Sequence, residues 1–340
     1  MNTGQRSNQP SLPADILSIL ECPSCHASLR EAPSGLACTG CGGQYPAVNG
    51  VISFTGESNY ADNFGFEWSY FAQTQLDRRE GEESERAFRE RTGFTPEELK
   101  GKLVLDVGCG MGRFAEVATR WGARVVGVDL SKAAEVAAGN LSGSGNAYFF
   151  RTDVFALPFS PASFDFIYSL GVLHHTPDCE RAFKSLPSLL KPGGTIAIWL
   201  YSGYNKWYRC SDFYRKATHR FPQRFLLNLC RVAVPLYHVH NALRRIPLVG
   251  RIASGTLAYL LPVSLHPNPE VRVLDTFDWY SPKYQSKHTY EEVFRWFEAC
   301  DLESLRALEQ TVAVRGSKPQ RNGLSEIGSP GEINFYTQSR

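Results

Sequence analysis

Cys22, Cys25, Cys38 and Cys41 form two CxxC pairs separated by twelve residues. Thiolates at this spacing, with Gly40, Gly42 and Gly43 around the second pair, suit two knuckles that close a tetrahedral four-thiolate zinc site. Such a site is coordinatively full, so Zn2+ held there would stabilise the fold and take no part in a reaction. A unit of about forty residues has too small a core to stand without a staple of this kind. The alternative, a redox dithiol, lacks the βαβ setting it would need. The other cysteines, Cys109, Cys179, Cys210, Cys230 and Cys300, are scattered and read as free thiols of a reducing compartment.

A second set of residues suits a nucleotide-like ligand. Val104 to Phe114 reads VLDVGCGMGRF, an apolar strand that runs into a GxGxG turn and then a helix. Glycines at such a turn accept unusual dihedrals and let a ligand press on bare backbone. Alone, the run is equally a tight strand-to-helix connection. A dinucleotide fold wants GxGxxG, and Arg113 stands where its third glycine belongs. Downstream, Val125 to Asp129 ends a second strand on an acid about twenty residues after the glycines, placed to accept two ribose hydroxyls. Arg151-Thr152-Asp153 ends a third strand on another acid. Phe164 to Ile167, then Leu173-His174-His175, then Leu190-Lys191-Pro192-Gly193-Gly194 follow in order.

With these segments in this order, residues 102–201 resemble the core of class I S-adenosylmethionine-dependent methyltransferases, close to the type 11 branch that contains quinone-biosynthesis enzymes. The resemblance implies a Rossmann-like α/β fold with a mostly parallel seven-stranded sheet, and S-adenosyl-L-methionine as methyl donor. It implies that Asp106 faces the methionyl ammonium and that Gly108, Gly110 and Gly112 admit the cofactor to the backbone. Asp129 would hold the ribose and Asp153 the adenine, with Leu170 and Gly171 beside the sulfonium. The segment Asn63 to Phe71 resembles an N-terminal helix that folds over the cofactor in some relatives, although its aromatics would serve equally to pack that helix. The stretch Gln44 to Ile52, after the cysteines, looks like the ribbon of small methyltransferase-activating zinc proteins. Related ribbons occur in rRNA and tRNA methyltransferases, but Arg30 is the sole Lys or Arg between Cys22 and Cys41 here, which speaks against an electrostatic nucleic-acid role.

These residues need elements to position them. Strands are expected at 102–107, 124–129, 147–152, 164–169, 194–200, 303–308 and 311–315, with helices near 112–121, 131–140, 179–190 and from Thr289, an N-cap with Glu291 and Glu292 behind it. Alternation of strands and amphipathic helices marks a parallel sheet covered on both faces. The chain thus divides into a flexible leader (1–15), a zinc ribbon (16–56), a helical cap (57–101), a methyltransferase domain (102–316) and a tail (317–340). Within the domain, 203–285 reads as a basic helical lid inserted after the fifth strand and broken by Pro222, Pro235, Pro247, Pro262 and Pro267.

Methyl transfer from a sulfonium needs alignment and exclusion of water, and a base only when the acceptor arrives protonated. His175 is the expected base, with His174 beside it, although both also suit a structural role. The stretch 275–289 would cross the mouth of an acceptor pocket, making Tyr284 and His288 candidate acceptor contacts with Asp278 in support. Residues 203–268 hold ten Lys or Arg against Asp212 alone, a net of +9, interleaved with apolar residues. That pattern suits a lid over a small or lipid-like acceptor, peripheral contact with an anionic membrane, or RNA phosphates. The apolar content favours the first; an RNA methyltransferase, or a cofactor-binding partner subunit without turnover, are the alternatives. With 43% apolar and 21% charged residues, no apolar run of roughly 18 and no signal-like start, the expected address is cytoplasmic, with membrane contact peripheral if present.

Overall fold

The computed structural model describes residues 12–56, 60–77, 82–204 and 209–320. After α1 (Ala14–Ser18), four short strands, β1 (Leu29–Ala32), β2 (Gly35–Cys38), β3 (Gln44–Val48) and β4 (Val51–Ser53), run as an antiparallel meander. Three helices follow: α2 (Asp62–Tyr70), α3 (Glu83–Thr92) and α4 (Pro96–Leu99). Gly93, in the left-handed conformation at φ +63°, ends α3. A Thr95–Glu98 capping box starts α4.

The central layer alternates β5 (Leu103–Val107), α5 (Arg113–Arg120), β6 (Arg124–Asp129), α6 (Ala133–Asn140), β7 (Ala147–Arg151), β8 (Phe164–Leu170), α7 (Cys179–Lys184) and β9 (Leu190–Trp199). These strands are apolar nearly throughout because helices cover both faces of the sheet. The chain closes with α13 (Tyr290–Glu298), β10 (Glu303–Ala307) and β11 (Ala313–Ser317), after the insertion helices α8 (Arg209–Thr218), α9 (Gln223–Ala233), α10 (Leu236–Arg244), α11 (Gly250–Leu260) and α12 (Pro269–Tyr280). The Thr289–Glu292 capping box opens α13.

The seven strands expected are present in the order β7-β6-β5-β8-β9-β11-β10, parallel except for β11 against its neighbours. The sheet itself has eleven strands, because the cysteine-bearing meander continues it instead of standing apart. β4 pairs in parallel with β7, Ile52 opposite Phe150 and Ser53 opposite Arg151. An uncovered β7 would offer unpaired N–H and C=O groups to solvent, and β4 takes them up. Ile16, Leu20, Leu36 and Ile52 share one core with Leu105, Val126, Phe150 and Phe159.

Residues 14 and 15, expected in a leader, form the first turn of α1, held by the buried Ile16. At the other end Ser317 is in β11, and Lys318 exchanges backbone hydrogen bonds with Gly193 and Gly194. Residues 1–11 and 321–340, the rest of the expected leader and tail, lie outside the described residues. Two prolines read as breaks in the insertion begin helices instead: Pro222 and Pro235 stand at the N-caps of α9 and α10. Asp275 to Tyr280, the start of the stretch expected to cross the pocket mouth, are the last turns of α12, whose start is fixed by Asn268 accepting from the N–H groups of Glu270 and Val271.

Candidate active site

β5 ends in the glycine turn. Gly108 has φ +79°, and a Cβ there would fall 2.2 Å from Val172 Cγ1; Gly110 has φ +52°, and its Cβ would crowd the Trp68 indole. Both positions are therefore glycine for steric reasons as well as conformational ones. The backbone N–H of Gly110 donates to Asp129 Oδ2 (3.1 Å), while the N–H and hydroxyl of Ser131 donate to Oδ1 (2.8 and 2.7 Å). The carboxylate at the end of β6 is thus pinned across the turn, and burial raises its pKa. Asp106, one residue inside β5, is 3% exposed, and its Oδ2 has no hydrogen-bond partner among the described residues. Burial pushes its pKa up to about 8.

One cavity extends from this turn across the ends of β5, β6, β8 and β9. Gly108, Gly110, Asp129, Leu170, Gly171 and His175, all anticipated, line it. Thr152 and Val154 also line it, whereas Asp153 between them caps a short 3-10 turn, its Oδ1 accepting from the Phe155 N–H at 3.0 Å. Gly112 lies outside the lining, packed beside Leu141 and Ala137. The helix α2 roofs the cavity with Ala61, Phe64, Glu67 and Trp68, one face of a helix at three- and four-residue steps. Gly65, on its other side, lets α2 approach the start of α6 at Lys132.

The opposite wall is polar. His175 Nδ1 lies 3.0 Å from the Tyr284 carbonyl oxygen, so it carries the proton and donates, leaving Nε2 unprotonated. Burial lowers the pKa of His175 below the usual 6.5, so the ring is neutral at pH 7. The Tyr201 hydroxyl donates to Asp278 Oδ2 at 2.5 Å. Asp275 is raised to about 6 by burial. Glu67 is buried with Oε2 lacking a partner among the described residues, and burial, followed by the charges of Asp278 and Asp275, raises its pKa strongly. Arg91 lies 4.0 Å over the Trp199 ring, and burial lowers it to about 10. Arg113, whose Nε donates to Ser84 Oγ, completes this wall.

Tyr284 and His288, anticipated as acceptor contacts, are not among the lining residues. Tyr284 acts through its carbonyl on His175, and its ring packs edge-on against Tyr60, which does line the cavity. His288 is occupied by Ser286 Oγ (2.7 Å), Glu292 and the Trp296 ring. His174 is fully buried between the rings of His175 and Tyr201, with both its nitrogens unpartnered among the described residues, and is likewise off the cavity surface. The residues that sequence reasoning passed over are Glu67, Arg91, Trp199, Tyr201 and Asp275. Glu67 had a signal, an acid inside an aromatic helix; Arg91 had none.

The cavity fits the expected cofactor on two counts, open glycine backbone and a pinned strand-end acid with lone pairs to spare for hydroxyls; Asp106, whose buried Oδ2 is unpartnered among the described residues, precedes the lining residues Val107 and Gly108 and is not itself one of them. Some distance along the sheet, the four cysteine sulfurs lie within 4.8 Å of one another, with Cys22 and Cys41 3.7 Å apart and Cys25 and Cys38 3.4 Å apart. Zn–S bonds of about 2.3 Å place tetrahedral sulfurs about 3.8 Å apart, so this donor set fits zinc. Cys38 Sγ also accepts from the N–H groups of Gly40 and Cys41, both at 3.3 Å, as a knuckle requires.

Residues 105–198 match the family model described as a methyltransferase domain. The ubiquinone biosynthesis O-methyltransferase of Coxiella burnetii is 39% identical over 100 residues, 29% of this chain and 43% of that protein. Phosphoethanolamine N-methyltransferase 2 of Caenorhabditis elegans is 33% identical over 111 residues, 31% of this chain and 25% of its own length. The chain therefore spans less than half the length of these curated relatives. Among solved structures, an S-adenosylmethionine-dependent methyltransferase from Mesorhizobium loti is 32% identical over 33% of this chain and 50% of that one, with a TM-score of 0.30. Strand order, glycine turn and family match together make residues 105–198 the core of a Rossmann-like S-adenosylmethionine-dependent methyltransferase domain, preceded in the chain by a zinc-ribbon-like four-cysteine unit.

Proposed function

We propose that this chain transfers a methyl group from S-adenosyl-L-methionine to a small-molecule acceptor whose reacting end lies against His175, Tyr201 and Asp278. The observation that carries this reading is the single cavity lined at one end by Gly108, Gly110 and Asp129 and at the other by those three polar side chains. The bound cofactor supplies a methyl group already activated on a sulfonium. Asp129 accepts the ribose hydroxyls, Asp106 accepts the methionyl ammonium, and Asp153 stands one residue from the cavity wall for the adenine. Leu170 and Gly171 flank the reacting end. His175, neutral and fixed in one tautomer, takes the acceptor's proton at Nε2 where the acceptor arrives protonated. Phe64 and Trp68 of α2 and Leu274 of α12 exclude water. Tyr284 and His288 are positioning residues on this reading, Tyr284 through the His175 ring and His288 through Ser286. The four cysteines hold a structural Zn2+.

The relatives name oxygen and nitrogen acceptors on small metabolites, which supports the small-molecule class and leaves the accepting atom open. Enclosure between α2 and α12 suits a small or lipid-like molecule better than a base in structured RNA. Incubation of the protein with methyl-labelled cofactor and separate cell fractions tests this. Label is expected in the small-molecule or lipid fraction; label in RNA, or in no fraction, would overturn it.

A further inference from the structure

The surface of the insertion is unlike the rest of the protein. Among the described residues, sixteen large apolar side chains are exposed, and fourteen of them lie between Tyr204 and Leu265. Scattered surface residues would not gather in this way. α9 shows the pattern on one helix. Leu226, Leu227 and Cys230 are buried against Phe71, Leu274 and Phe277. Phe225, Leu229 and Val232, at i, i+4 and i+7, form a second apolar stripe in solvent, with Val232 77% exposed. The turn between α10 and α11 is the other concentration: Ile246, Leu248 and Val249 are exposed, and Ile252 follows in the first turn of α11. Leu248 is 96% exposed at φ +66°, a backbone that glycine would adopt at less cost than leucine.

Cationic side chains border both features. Arg224 and Arg231 flank the α9 stripe, Arg244 and Arg245 precede the turn and Arg251 follows it. A groove beside the turn is lined by Arg209, Arg251, Thr256, Tyr259, Ile252 and Leu260, a mixture suited to a phosphate with an apolar tail. We propose that this face docks on an anionic phospholipid bilayer, with the turn 246–249, Ile252 and the α9 stripe entering the acyl boundary and the arginines meeting headgroup phosphates. No helix among the described residues is long and apolar enough to cross a membrane, so the face lies on the bilayer. A second copy would set one net +9 segment against another in a two-fold contact. Residues 321–340 hold two arginines and two glutamates, with no charge to complement the face. RNA would satisfy the arginines and leave the aliphatic side chains in water. The proposal stands apart from methyl transfer, since a protein that docks without turnover keeps it.

The test is cosedimentation of the full chain with vesicles of phosphatidylcholine alone and of an equal mixture with phosphatidylglycerol. Binding to the mixed vesicles alone is expected. Arg244→Gln with Arg245→Gln should weaken it about thirtyfold, taking about 1 kcal/mol per lost charge near the surface. Leu248→Ser with Ile252→Ser should weaken it at least about tenfold, given about 0.8 kcal/mol per CH2 withdrawn from the acyl region. Calorimetry with S-adenosylmethionine, expected unchanged in both variants, shows that each stays folded. Leu248→Trp should blue-shift its fluorescence on mixed vesicles. No vesicle binding, binding indifferent to the serine variant, or preferential binding of structured RNA over mixed vesicles would each overturn the proposal.

Discussion

Asp106 is buried at the end of β5 with one carboxylate oxygen unpartnered among the described residues, and burial raises its pKa to about 8. The sign of its linkage follows from that direction. Between the ordinary 3.8 and about 8 the folded protein keeps a proton that the unfolded chain gives up, so Asp106 stabilises the free protein at low pH and that contribution is lost as pH rises through about 8. If, as proposed, Asp106 receives the methionyl ammonium, that charge favours the ionised form and binding releases this proton. Affinity for the demethylated product should therefore rise about tenfold per pH unit towards about 8. Calorimetry in buffers of different ionisation enthalpy would count the proton, and Asp106→Asn should abolish both the release and the slope. At His175 the expected result is different in kind. His175→Gln should lower kcat by about a hundredfold or more and leave cofactor affinity unchanged. The wild-type rate should show an acidic limb below pH 6.5, the ordinary histidine value, because burial lowers this ring's pKa. A structural role alone would change stability and leave that limb in place.

At the scale of elements, β4 is a strand of three residues that covers the edge of β7. It belongs to the same meander as the cysteine cluster, so loss of a zinc held there is expected to reach it. Cys38→Ser should release one zinc per chain, seen by metal analysis after dialysis, and lower Tm by more than about 5 °C. Aggregation through the uncovered edge should follow, while the soluble fraction keeps its cofactor affinity, because Gly110 and Asp129 stand on β5 and β6. Full zinc loss with no change in Tm would remove the ribbon from the stability of the sheet. Such elements differ in how far they were legible in the sequence. Strands β5 to β9 and the helices between them announced themselves by apolar period and by the glycine turn. The β4–β7 pairing did not, since Val51-Ile52-Ser53 carries no mark of its partner nearly a hundred residues on. α12 lies in the segment expected to be helical, but its bounds were not legible until Asn268 and Pro269 are seen as its cap. Arg91 reaches the cavity from a helix with no motif, so only packing reveals it, whereas Glu67 sits in the aromatic helix already marked by its resemblance to a cofactor-covering element.

Across the whole molecule, the cavity is closed by segments from distant parts of the chain, and their seat on one another is the exposed point of the design. α2 roofs the cofactor end, and it rests on α12 of the insertion. Phe66 and Phe277 have ring centroids 6.0 Å apart, Asn63 Nδ2 donates to Ser281 Oγ at 3.4 Å, and Phe71 joins Leu274 and Phe277 in a small core of its own. Phe277 is fully buried in that core. Phe277→Ala should cost about 3–5 kcal/mol of local stability, and cofactor affinity should fall with it because Phe64, Glu67 and Trp68 lose the support of their helix. Phe297 supplies the control. It is equally buried, in α13, stacked on Phe183 at 4.6 Å in the other core, and it does not line the cavity. Phe297→Ala should lower Tm to a similar extent while affinity in the folded protein stays within about twofold of wild type, as expected for a site remote from the cavity. Denaturation and calorimetry on the two variants separate the possibilities. Equal loss of affinity in both would mean that the cofactor senses only global stability; loss confined to Phe277→Ala would mean that the insertion, through α2, is part of the cofactor site.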